Sequence, residues 1–152
     1  MRHHQLSLAC SLALCPLLTS AQPGTLDPSF SGDGLFLSGL FTGNDFGRAV
    51  VVQPDGAVLL AGNAVVDGLS RFGVLRTLTN GELDTAFDDD GYNTIAFNEH
   101  NDACFAMARQ ADGGIVLAGY SNNGLENDLA LARLTADGAD PSFGGAGTVV
   151  VE

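Results

Sequence analysis

The sequence predicts an all-β fold built from repeated units of four short antiparallel strands. Three observations carry this. The chain matches itself at a spacing of 57 residues, with sixteen of the 57 paired positions identical between Gly24–Asn80 and Gly81–Asp137. Its apolar segments are short, alternate or run unbroken for four to eight residues, and end in Asp-Gly or Asn-Gly turns. No segment has the spacing of an amphipathic helix, and twenty glycines among 152 residues sit badly with long helices.

Each element follows from the residues that bound it. Gly24-Thr25-Leu26-Asp27-Pro28-Ser29-Phe30 opens the first unit and returns as Gly81-Glu82-Leu83-Asp84-Thr85-Ala86-Phe87. It comes back one residue shorter as Gly138-Ala139-Asp140-Pro141-Ser142-Phe143. A first strand is expected over Leu35–Leu40, matched by Tyr92–Phe97 and Thr148–Val151. A second covers Phe46–Gln53 and Ala103–Gln110, and Pro54-Asp55-Gly56 and Ala111-Asp112-Gly113 supply the tight turn after it. The third is Ala57–Gly62 and Gly114–Gly119. The fourth is Arg71–Leu78 and Asp128–Leu134, before Asn80-Gly81 and Asp137-Gly138 turn the chain into the next copy.

The third strand speaks to packing. Val58, Leu59 and Leu60 are apolar on both faces, as are Ile115, Val116 and Leu117. A strand apolar on both sides belongs to a sheet covered on both sides. Sheets stacked face to face around an axis provide that, as in a β-propeller, whereas a two-sheet sandwich would leave one face wet. About two and a quarter copies are present, so the expected ring is incomplete, since propellers have at least about four blades. The organisation reads as a leader at 1–21, a first blade at 22–80, a second at 81–137 and a partial third repeat at 138–152. Two readings stay open: a piece of a longer frame, or a chain that completes itself by self-association, its terminal strand pairing with a neighbouring unit.

Residues 1–21 have the three parts of a secretory signal: a polar start at Arg2-His3-His4, an apolar run from Leu6 to Leu18, and small residues at Thr19-Ser20-Ala21. Cleavage after Ala21 gives an extracytoplasmic product. The run is too short for a bilayer span, so no membrane insertion is expected. Leu14 before Cys15 lacks the small residue that lipid attachment needs, and beyond the leader only Cys104 is left, so no intrachain disulfide can form. Five arginines against eighteen acids then leave a net charge of −13, from −12 for the whole chain. Such a surface repels nucleic acid and anionic lipid.

The string Asp-Pro-Ser-Phe, then Gly-Asp-Gly, then Gln-Pro-Asp-Gly before an apolar run ending in Ala-Gly, then Arg-Leu and Asp-Gly, resembles the delta-60 repeat of bacterial secreted proteins. The resemblance spans Gly24 to Glu152. It implies propeller-like blades and no established activity. The third copy departs from the pattern with Ala146 where Asp33 and Asp90 stand, and the first has Thr77 where Leu134 follows its arginine.

Candidate chemistry is thin. Asp88-Asp89-Asp90-Gly91 is the densest acidic cluster. It fails the helix–loop–helix calcium template, which would place Ala86 first and Phe97 twelfth. Asp88 and Asp90 remain candidates for a loop calcium site, against the plainer reading of a solvated acidic turn. Arg76 shares strand parity with Phe72 and Val74, and Arg133 with Leu129 and Leu131. A guanidinium on an apolar face needs a partner, so Arg76–Asp84 and Arg133–Asp140 are expected as structural clasps between units. His100 lies in a polar loop, no Gly-x-Ser-x-Gly elbow exists, and no zinc set can be built. No catalytic residue and no cofactor is assigned. The expected function is a secreted, non-catalytic repeat module with a structural or binding role, its protein or surface ligand unknown. The alternatives are a fragment of a secreted propeller hydrolase or lactonase, or a calcium-binding surface repeat protein.

Overall fold

A computed structural model of the chain describes residues 24–41, 43–135 and 138–151. The leader and its cleavage position lie outside the described residues. Every regular element among the described residues is a strand, and every pairing is antiparallel.

The first sheet is a meander of β1 (Phe46–Val52), β2 (Val58–Val66), β3 (Leu69–Thr77) and β4 (Tyr92–Ile95), in that spatial order. The second joins β5 (Asp102–Arg109), β6 (Ile115–Asn122) and β7 (Asn127–Thr135), with β8 (Gly138–Ala139) and β9 (Thr148–Val151) both on the free edge of β7. The β1–β2 and β5–β6 turns fall at the recurring Asp-Gly pairs. There Asp55 Oδ1 accepts the Ala57 N–H at 3.0 Å and Asp112 Oδ1 accepts the Gly114 N–H at 3.0 Å. The β2–β3 hairpin turns in two residues, Asp67 and Gly68, at φ of 52° and 79°. Positive φ at both central positions matches the twist of the flanking strands.

The sheets are phased one strand later than the repeats. β4 and β9, the opening strands of the second and third units, hydrogen-bond to β3 and β7, the closing strands of the units before them. This explains a difference from the sequence reading: Leu35–Leu40 is not a strand. Its counterpart β4 exists because β3 offers an edge, and among the described residues no strand precedes Leu35 to do the same. The segment instead crosses the first sheet, Phe41 meeting Tyr92 edge-on at 5.3 Å.

The two sheets stack face to face. Cross-strand partners share a face, so the register places Leu59, Ala61, Phe72, Val74 and Ile95 together on the first sheet. Opposite them the second presents Cys104, Ile115, Leu117, Ala130, Ala132 and Leu134. All are buried and, with Phe87, form one core. Among the described residues the architecture is therefore all-β, with blade-like antiparallel sheets and no closed ring.

Candidate functional site

The recurring Arg and Asp lie at the phase shift, where a unit's last strand meets the next unit's opening loop. Arg76 on β3 donates through Nε to Asp84 Oδ2 at 2.7 Å, and Nη2 lies 2.6 Å from the same oxygen. The backbone closes around the pair: Asp84 N–H donates to Arg76 O at 2.9 Å and Arg76 N–H to Gly91 O at 3.0 Å. Asp84 Oδ1 accepts the Ala86 N–H, turning the loop so that Phe87 enters the core. The guanidinium then sits 5.2 Å over the Phe87 ring.

The second pair repeats this backbone pattern with a different surround. Arg133 on β7 pairs through Nη1 with Asp140, donates through Nε to Gln110 Oε1 at 2.6 Å and through Nη2 to Asp112 Oδ2 at 2.5 Å. Gln53, the counterpart of Gln110, keeps its Oε1 buried without a partner. The Ser142 hydroxyl, its N–H and then Arg133 hold the Asp140 carboxyl below the usual carboxylate range. Asp27, at the same motif position in the first unit, is lowered by the Ser29 hydroxyl and N–H alone. Among the described residues no guanidinium reaches it.

The acidic turn is occupied by its own loop. Asp88 and Asp89 adopt φ of 50° and 68°. Asp88 Oδ2 accepts from the Asn93 amide, and Asp90 Oδ1 accepts the Tyr92 N–H at 3.1 Å. Among the described residues no group of three or more His, Cys, Asp or Glu is placed to hold a metal ion.

Sequence reasoning missed a junction between the sheets. Arg71 on β3 reaches across, Nη1 donating to Asn98 O at 2.8 Å, His100 O at 2.7 Å and Asp102 Oδ2 at 3.3 Å. Ser70 donates its N–H to Asn101 Oδ1 and its hydroxyl to Asp102 O. Asn63 Oδ1 accepts the Cys104 N–H at 3.1 Å. Asp102 is fully buried, and its Oδ1 has no hydrogen-bond partner. A cleft of about 350 Å³ opens beside it, lined in part by Asn44, Asn63, Asn101 and Tyr120. The signal was the repeated Asn44-Asp45 and Asn101-Asp102, but Arg71 has Asp128 at its repeat position and so does not recur. Cys104 lies in the core, and burial pushes its thiol up to about 11.

Comparison with known families agrees with this architecture. Residues 53–87 and 110–143 each match a family model described as "Domain of unknown function (DUF5122) beta-propeller". The match supports a propeller-repeat family, and its two stretches are the β1–β2 turn through Phe87 and the corresponding run of the next unit. No curated protein and no solved structure matches.

Proposed function

We propose that the chain is a secreted, non-catalytic blade module that acts through the apolar faces of its sheets, in a structural or binding role. The observation that carries this is a comparison of equivalent positions. Phe72 and Ile95 on the first sheet are 0% and 7% exposed beneath the second sheet. Their counterparts on the second, Leu129 and Val151, are 71% and 55% exposed. Val116, Ala118 and Leu131, counterparts of Leu59, Ala61 and Val74, are only half-buried on that same face. Contiguous exposed apolar surface of this kind marks an interaction site.

The delta-60 resemblance, with no established activity attached to it, and the leader-like residues 1–21 support the same reading. The test has two parts. Expressed with its leader in a bacterium, the chain should leave the cytoplasm and begin at Gln22 by mass; a cytoplasmic full-length product overturns the secreted assignment. In dilute solution Phe72→Ala should cost about 3–5 kcal/mol of unfolding free energy. Leu129→Ala should cost less than about 0.5 kcal/mol. Equal costs would mean that Leu129 serves the chain's own core and that the face is not free to bind.

A further inference from the structure

The stacking of the two sheets shows which surfaces fit each other. The first sheet uses the face bearing Leu59, Ala61, Phe72 and Val74; the second uses the opposite face, bearing Ile115, Leu117, Ala132 and Leu134. Because the sheets are repeats, each surface exists twice. The second sheet carries the first kind again as Val116, Ala118, Leu129 and Leu131. The first sheet carries the second kind again as Val58, Leu60 and Leu75, with Thr77 at the position of Leu134, extended over β1 by Val50 and Val52 at the positions of Met107 and Arg109. Leu129, Val50, Val52 and Leu60 are exposed.

We infer that these two surfaces bind each other between copies: the Leu129 face of one chain receives the Val50 face of a second copy, in the geometry that joins the two sheets within one chain. This rests on reading the blade faces as the working surfaces and names their partner. The contact is head-to-tail, so it repeats until a ring closes. At two blades per chain, two to four copies give the four to eight blades of a propeller. The backbone edges raise no conflict, because β7 already carries β9 and needs no strand from the incoming copy. Phe36, Leu37 and Phe41 lie across the Leu60–Leu75 end of the receiving sheet, where Leu75 is already buried, so docking at that end requires the segment to be displaced. Leu37 and Leu35 are themselves exposed there, and the segment holds no strand ladder.

The experiment is sedimentation of the full chain and of Leu129→Arg and Val50→Arg, separately and mixed. Wild type should form a discrete closed oligomer of two to four copies. Each variant alone should be a monomer, because it spoils one of the two surfaces. An equimolar mixture should form one-to-one pairs, because each variant keeps the surface that the other lacks. A wild type that stays monomeric at about 100 µM, a concentration at which specific interfaces of standard size are filled, overturns the inference and leaves the free-face reading standing if Leu129→Ala is still harmless. Self-association of Val50→Arg alone would show like faces meeting and overturns the head-to-tail contact, as does a mixture that stays monomeric. Circular dichroism checks the fold of each variant. If either arginine disrupts it, Leu129→Ser and Val50→Ser replace the pair with the same expected pattern.

Discussion

At the residue scale, the recurring Asp is an anchor whose loop it organises through both carboxylate oxygens. Asp140 accepts Ser142 on Oδ1 and Arg133 on Oδ2. All three donors favour the ionised form, so its carboxyl is lowered in the folded chain. The stability it contributes is therefore present above the unfolded carboxylate range, near about 4, and is lost as pH falls through the lower folded value. Removing the leading donor should weaken this. Ser142→Ala is expected to move the Asp140 titration midpoint upward, read by carboxyl-carbon NMR, and to shift acid unfolding to higher pH. An unchanged midpoint would mean that the hydroxyl is not the main cause. The arginine pairs were legible because Arg76 and Arg133 recur on apolar strands and an acid recurs a few residues on. Arg71 and Asp102 make a comparable contact, yet only the acid repeats. Self-comparison finds what every unit needs and passes over what one junction needs.

At the element scale, the repeated Leu-Ala-Gly has a backbone cause. Between Gly47 and Ala49 on β1, and between Cys104 and Ala106 on β5, the register slips by one residue. Each slip pushes a carbonyl toward the neighbouring strand. A Cβ on Gly62 would lie 1.8 Å from Phe46 O, and one on Gly119 would lie 1.9 Å from Ala103 O and 2.8 Å from the Phe72 ring. Glycine is there because a bulged partner occupies the side-chain space. Gly62→Ala and Gly119→Ala should each destabilise the fold by about 1–3 kcal/mol, the usual range for overpacking, in urea unfolding. Ala118→Gly, one residue from Gly119, should cost less. Turns and strands were readable from sequence because Asp-Gly pairs and apolar runs are local signals. The bulges were not, since they depend on which residues of two strands face each other. Nor was the loss of a strand at Leu35–Leu40, which stands at the repeat position of β4 but, among the described residues, has no preceding strand to pair with.

At the scale of the whole molecule, the repeat period was plain and its structural phase was hidden. Nothing in the residues of one unit says that its opening strand pairs backward, onto β3 or β7. That backward pairing ties consecutive blades together covalently and by hydrogen bonds, and it leaves the sheet faces as the surfaces still to be matched. Charge then works against the matching. The chain carries −12 overall, so two copies repel at long range while their apolar faces attract on contact. The Debye length is about 30 Å at 0.01 M salt and about 3 Å at 1 M. Raising sodium chloride from about 0.02 to 0.5 M should therefore tighten self-association by roughly tenfold, through screening of like charge. An interface held by ion pairs would weaken instead. Sedimentation across that series separates the two, and weakening with salt would place the contact away from the Leu129 and Val50 faces.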